Sequence, residues 1–571
     1  LVNATFRWIN DNLKDKVDFV VWTGDSARHD NDERHPRTEK EVLGLNTYLV
    51  DKFVEVFGKT DNIGDPDPRN DFIVPIVPTF GNNDMLPHNI FAPGPNKWTR
   101  QYANIWERFI PQEQLHSFAR GGWFFTEVIP NKLAVISLNT MYFFDSNSAV
   151  DGCEAKSEPG FEHMQWLRIQ LQFLRDRGMK AILMGHVPPA RTSSKQSWDE
   201  SCWQKYTLWT RQFRDVIVGS LYGHMNIDHF MIQDFKDIRY KVKNAKGDKG
   251  QLGLLSQHGG QRGNPAFSIA AKDAYLNDLR EEWQTLPSPP HGLSYANLGE
   301  DDDELHDSKR RKKSKKQKKR DKFMKAIGGK WAENFGLALV SPSVVPNYYP
   351  TLRVIEYNIS GLGGVHPATS PLAARLLGPE PEPDWAEELD HSDLHDLKKK
   401  KKKKKDRKPR FTIPKPPSKS APPGPAYSPQ TFSFTSYTQY FANLTQINIL
   451  DLLDKDKHRK LDPKNFEYEL EYGSGNDTQY QLPDLTVRNL LDLARKIAQK
   501  QVKSKDFDTS TEPLWEQDDD AFTDGHNDDQ SKDDWLDLTQ KKNLKNHVWR
   551  AFVKRAFVGT KPEKELEDRF G

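Results

Sequence analysis

Residues 18–25 read DFVVWTGD: an apolar, β-branched run, Asp18–Trp22, that ends in Thr23-Gly24-Asp25. The same arrangement recurs along the first part of the chain. Ile73–Phe80 (IVPIVPTF) ends in Gly81-Asn82-Asn83-Asp84, and Leu133–Leu138 (LAVISL) ends in Asn139-Thr140. Ala181–Met184 (AILM) ends in Gly185-His186, and Val216–Val218 leads through residues 219–222 to Gly223-His224. Short apolar runs bounded by polar turns read as buried strands. Between them, Gln165–Arg177 places Trp166, Leu167, Ile169, Leu171 and Leu174 at near-helical spacing. Alternating strands and helices predict a layered α/β domain. In such sheets ligands bind beyond the carboxyl ends of the strands, which is where Asp, Asn and His recur here.

The rest of the chain is polar. Of 571 residues, 36% are hydrophobic and 29% charged, too polar a mix for one large core. The pattern divides it into a core at 1–235, a charged and largely disordered insertion at 236–330, and returning core strands at 331–360. A Lys/Pro-rich linker follows at 361–425. Residues 426–500 read as a segment packing on the core, with an amphipathic helix at Leu485–Ala498, and 501–571 as an acidic linker and tail. Net charge is only +2, and the basic residues are concentrated in runs such as Lys309–Arg320 and Lys398–Lys405. Such runs read as solvated loops with some affinity for polyanions; no specific nucleic-acid partner is expected.

Two cysteines, Cys153 and Cys202, allow one disulfide at most. Four N-x-[ST] sequons stand at Asn3, Asn358, Asn443 and Asn476. Together they lean towards a lumenal or secreted compartment; two free thiols in a cytosolic enzyme is the other reading. No apolar run approaches the roughly 18 residues that span a bilayer, and no signal peptide is visible. Because the chain starts at Leu1, an upstream part carrying a membrane anchor is expected outside this sequence. A homo-oligomer stays open.

Hydrolysis of phosphate esters or anhydrides by divalent ions needs carboxylate, amide and imidazole ligands on a rigid frame, and two ions about 3.5–4 Å apart can share it. Asp25, Asn82, His186 and His224 each follow a strand-like run, so four separate sheet ends supply a candidate ligand set. Singly, each is better read as a turn Asn or a buried His. In the order GD, GNxD, GH, GH they point to a metal site.

These motifs resemble the ordered set of calcineurin-like metallophosphoesterases. Trp22–Asp25 with His29-Asp30 is similar to the acid-sphingomyelinase branch, and WTGDSARHD (22–30), GNND (81–84) and GHMNIDHF (223–230) resemble the fungal endopolyphosphatases. The resemblance implies a β-sandwich flanked by helices, α/β/β/α, and a hydrolase that cuts internal phosphoanhydride bonds of inorganic polyphosphate. It implies a vacuolar location, in the lumen or at the membrane. Asp25 would bridge two metals; Asn82, His186 and His224 would complete one site; His29 would be a general acid or a hydrogen-bonding support.

Three departures from the family pattern stand out. The Asp-x-His that opens the family is absent: Asp393–His395 and Asp524–His526 lack a preceding strand. Asn83 stands where the family has His, so an acid role passes to His29, His88 or solvent, and Asn83 joins Asp25 and His29 as a catalytic candidate. Asn226 replaces the last His, and an amide oxygen there shifts preference from Zn towards Mg, Mn or Co. Arg28, Arg34, Arg37 and His88 are candidate polyphosphate contacts, with surface or ion-paired arginines as the plainer reading. The alternatives are a sphingomyelinase-like phosphodiesterase, which two cysteines disfavour, and a catalytically incomplete polyanion-binding protein.

Overall fold

A computed structural model of the chain describes residues 1–30, 32, 34–59, 70–239, 269–291, 293, 295, 298, 314–345, 348–362, 411–418, 420–447, 466–499 and 546–571. Through the first 235 residues the elements are α1 (Val2–Asn12), β1 (Val20–Trp22), α2 (Glu39–Phe57), β2 (Ile76–Pro78), α3 (Lys97–Ile105), α4 (Leu115–Gly121), β3 (Phe124–Ile129), β4 (Leu133–Ser137), α5 (Pro159–Asp176), β5 (Lys180–Met184), α6 (Glu200–Gln212), β6 (Ile217–Tyr222) and β7 (His229–Asp234). Then follow α7 (Ile269–Gln284), α8 (Lys315–Ile327), β8 (Phe335–Val340), β9 (Thr351–Tyr357), β10 (Phe434–Phe441), β11 (Glu469–Gly473), α9 (Val487–Ala498), α10 (His547–Ala556) and α11 (Glu563–Phe570).

The main sheet has the order β3-β4-β5-β6-β8-β7. Its four central strands run parallel, and β3 and β7 are antiparallel edges. The parallel pair β1–β2 stands beside β4, tied to it by Ser137 Oγ donating to the Pro78 carbonyl (2.6 Å) and Thr79 Oγ1 to the Leu138 carbonyl (2.8 Å). A third, antiparallel sheet has the order β11-β10-β9.

Strand β6 shows how the layers stack. Side chains alternate across a strand. On one face Ser220 and Tyr222 bond to the hydroxyl of Tyr206 on α6, at 2.9 and 2.7 Å. On the other face lies Gly219, where an added Cβ would sit 2.6 Å from the Phe434 ring of β10. Helix, sheet and second sheet therefore lie in order, the expected layered sandwich. Helix α5 buries Leu167, Leu171 and Leu174 at helical spacing, and α9 buries Leu490, Leu491, Ala494 and Ile497.

Two of the polar segments contain packed helices among their described residues. The insertion at 236–330 holds two packed helices: α7 buries Tyr275, Leu276, Leu279 and Trp283, with Trp283 stacked on Phe230 at 4.8 Å, and α8 buries Phe323 and Ile327. A few large apolar groups at helical spacing seat a helix despite charged neighbours. The tail is likewise core from 546 onward, where Trp549, Phe552, Val553, Phe557 and Phe570 are buried.

That C-terminal segment is locked to the loop after β6. Arg555 pairs with both oxygens of Asp477 (2.8 and 2.6 Å) and lies 4.0 Å over the Tyr472 ring. The Tyr472 hydroxyl donates to Asp228, which also pairs with Arg353 at 2.6 Å and donates its N–H to the Ala556 carbonyl. Cys153 and Cys202 form a disulfide with Cα atoms 4.9 Å apart. Sequon residues Asn3 and Asn476 are exposed; Asn358 and Asn443 are half-buried. Among the described residues no helix is long and apolar enough to cross a membrane. Both Asp-x-His strings, Lys398–Lys405 and residues 309–313 lie outside the described residues.

Candidate metal centre

Asp25 follows β1, Asn82 follows β2, His186 follows β5 and His224 follows β6. The fold brings all four together. His186 Nε2 lies 3.2 Å from Asp25 Oδ2 and 2.9 Å from Asn82 Oδ1. His224 Nδ1 lies 2.8 Å from Asn82 Oδ1 and 3.2 Å from His186 Nε2. Asp25, His186 and His224 form a cluster whose ligand atoms all lie within 4.8 Å of one another.

The loops that carry them meet closely. An added Cβ on Gly81 would sit 2.1 Å from the Asp25 amide nitrogen and 2.2 Å from its Oδ1, so only glycine lets the β1 and β2 loops touch. Asp25 and His224 themselves hold positive φ, 60° and 68°, a conformation that costs non-glycine residues energy and clusters at functional sites.

Neighbours fix which atom each ligand presents. His186 Nδ1 bonds to the Thr23 carbonyl at 2.7 Å and must donate, so a neutral ring aims the Nε2 lone pair at the cluster. Asn82 Nδ2 donates to His88 Nε2 (2.8 Å) and Asn89 Oδ1 (3.0 Å), which leaves Oδ1 facing both imidazoles. Asn83 donates its backbone N–H to Asp25 Oδ1 and its side-chain Nδ2 to Oδ2, both at 2.8 Å. Asp25, Asn82 and His186 thus aim acceptor atoms at one shared point, an arrangement that positive charge at its centre stabilises.

The electrostatics agree. Burial alone would push Asp25 up, but the charge and hydrogen bond of His186 outweigh it and hold Asp25 well below the usual carboxylate range. Burial alone would push His186 down, yet Asp25 raises it above its ordinary value. Burial, reinforced by His186, pushes His224 well down. The cluster therefore favours positive charge. A mixed set of two imidazole nitrogens, a carboxylate and an amide oxygen suits a divalent transition ion or magnesium, so the residues present fit one cation.

The remaining predicted residues separate by position. Asn226 is half-buried with φ 55°, and the hydrogen bonds that join the four ligands do not include it. His88 orients Asn82, and burial pushes its imidazole down. His29 is exposed at the edge of the site, on the side of His88 and His224. Arg34 is exposed. Arg28 pairs with Glu41 at 2.5 Å. Arg37 is buried and donates to the carbonyls of Arg28 (2.9 Å) and Asn83 (2.6 Å), so it holds the ligand loops instead of facing a substrate.

Sequence reasoning missed the group that builds this floor. Buried Asp84 accepts from the backbone N–H groups of Asp25, Gly81, Ser26 and Ala27 and from Asn46 Nδ2, at 2.8–3.2 Å. Burial, then the charge of Asp25, raises its pKa while these donors oppose the shift. A carboxylate inside the GNND quartet was a visible signal; Asn46, in the middle of α2, gave none. The Phe144 ring, 5.3 Å edge-on from His224, closes one wall.

Residues 2–228 match the family model described as calcineurin-like phosphoesterase. Curated relatives match over nearly the whole chain. An endopolyphosphatase of Neurospora crassa is 44% identical, covering 90% of this chain and 73% of that protein. One of Yarrowia lipolytica is 33% identical, covering 99% and 81%. One of Saccharomyces cerevisiae is 36% identical, covering 87% and 75%.

Proposed function

Since the chain belongs to the fungal endopolyphosphatase family of calcineurin-like phosphoesterases, we propose that it hydrolyses internal phosphoanhydride bonds of inorganic polyphosphate at the centre formed by Asp25, Asn82, His186 and His224. The observation that carries this reading is the convergence of four acceptor side chains, from four strand ends, with contacts of 2.8–3.2 Å.

A divalent cation in this cluster supplies charge neutralisation at a phosphoryl oxygen and acidifies water. The chain's own groups do the rest. Asn83 holds both oxygens of Asp25, so the carboxylate cannot rotate. Thr23, His88 and Asn89 fix His186 and Asn82. Asn83 has no proton to deliver, and the leaving group of an anhydride is a phosphate, which needs less protonation than an alkoxide. His29, exposed at the edge of the site, is the candidate to give a proton to it, and exposed Arg34 the candidate to meet the incoming anion. Asp25 would also be the residue to share with a second cation if the centre holds two, as in two-metal hydrolases. The disulfide and the exposed sequons at Asn3 and Asn476 support a lumenal, vacuolar setting.

The test uses long-chain polyphosphate with wild-type protein and Asp25→Asn, each with divalent ion and with chelator, the products sized on a gel. Chains of intermediate length, lost in Asp25→Asn and on chelation, are expected. Uncut chains, or release of single phosphates alone, would refute internal cleavage.

A further inference from the structure

Helix α8 reads KKQKKRDKFMKAI, with Asp321 its one acidic residue. Phe323 and Ile327 seat it on the core, Ser314 caps its start by accepting from the Gln317 N–H, and Gly328, at φ 88°, ends it. Lys315, Lys318, Lys322 and Lys325 fall at i, i+3, i+7 and i+10, opposite the buried side chains, and all four are exposed. At 1.5 Å per residue they form a stripe about 15 Å long.

This charge works against the helix. Lys315 and Lys316 stand in the first turn, where the helix dipole disfavours cations, and like charges three or four residues apart repel. Among the described residues none of the four stripe ammonium groups is ion-paired. Other surface cations do find partners, among them Lys97 with Glu39, Arg120 with Glu162, Arg191 with Glu200 and Arg569 with Asp273. The position is also informative. Asn334 Nδ2 donates to the Lys325 and Ala326 carbonyls, so the end of α8 lies beside the start of β8. Strand β8 is six residues long and parallel to β6, whose far end carries His224. The Lys325 end of the stripe thus lies at the end of β8 away from the metal centre, about 20 Å from it along the strand.

We propose that the exposed face of α8 is a second binding site for the substrate, holding a remote stretch of a long polyphosphate chain while another stretch occupies the metal centre. It rests on the polyphosphate reading for its ligand. Charge complementarity selects a flexible polyanion, and the separation selects a long one. A chain held at both places meets the centre at raised effective concentration, whereas an oligophosphate too short to bridge the sheet gains nothing.

The experiment measures long-chain polyphosphate binding to the Asp25→Asn chain, over a range of salt, with and without Lys315→Gln, Lys318→Gln, Lys322→Gln and Lys325→Gln together. Gln keeps helix propensity close to that of Lys. Binding should weaken on the order of tenfold, with a salt slope shallower by about three. The same four positions changed to Arg should bind like the parent. In the active chain, the Gln variant should raise KM for long chains and narrow the preference for long over short. Equal binding and equal KM, or Arg failing to substitute for Lys, would overturn the proposal. So would α8-dependent binding of RNA or anionic vesicles without that of polyphosphate. A chain that binds through α8 but never cuts polyphosphate refutes the hydrolase reading alone; one that cuts it with no role for α8 refutes this site alone.

Discussion

The ring of His186 is aimed by Thr23: its Nδ1–H donates to that carbonyl across 2.7 Å, leaving Nε2 to face Asp25 and Asn82. His186→Phe keeps the ring and loses both nitrogens. Cation affinity, read by titration calorimetry with manganese, should fall by roughly 100-fold or more, beyond the effect of removing a supporting partner. Affinity within a factor of two of wild type would place the cation elsewhere.

Asn83 touches Asp25 through two donors, and only one belongs to its side chain. Asn83→Ala should therefore leave the loop folded but free one carboxylate oxygen. Turnover should drop on the order of 10–100-fold, as for other groups that orient ligands, with the melting temperature little changed. Stopped-flow or gel rates beside a thermal melt separate these effects.

Asp84 serves five donors inside the fold. Asp84→Ala strips them all and should cost about 3 kcal/mol or more of stability, since buried donors are left without partners. Gly81→Ala should be comparably harmful for a steric reason, because its Cβ has no room beside Asp25. Denaturant unfolding measures both. A loss under about 1 kcal/mol in Asp84→Ala would show that the floor is held by something else.

His163 is stacked between Trp123 at 4.4 Å and Phe143 at 4.8 Å, and burial pushes its pKa down to about 3. Its ordinary value is about 6.5. Below that pH the unfolded chain takes up the proton first, so the stability present above 6.5 is lost progressively down towards 3. His163→Phe removes the titration. Wild type should lose on the order of 3 kcal/mol more than the variant between neutrality and pH 4. Parallel unfolding curves at the two pH values decide it.

The Cys153–Cys202 link spans 49 residues. Reducing it, or replacing both with Ser, should lower stability by about 2–4 kcal/mol through the freed loop. Melting with and without reductant tests this.

The four ligands were legible in the sequence because each stands just past a strand-like run, and an apolar run reports its own burial. The arginines were harder. Nothing in the spacing of Arg28, Arg34 and Arg37 distinguishes the exposed one from the two engaged by Glu41 and by loop carbonyls, since their partners are distant in the chain. Helices α7 and α8 were hidden for a related reason. Phe323 and Ile327 hold a helix that is otherwise almost wholly charged, so average composition spoke for solvent while two side chains decided the packing. The tail after 546 is a similar case, its core-facing Phe552 being placed by contacts with Trp283 of α7 and Phe230 of β7.

The ligands reach their meeting point from four separate strand ends, so no single loop or sub-segment retains the set. A cation seated there would join the β1–β2 pair to the β5 and β6 ends of the main sheet, and its binding free energy would add to that of folding. Melting temperature should then climb with free metal concentration, and stripping the ion should loosen those four strand ends together.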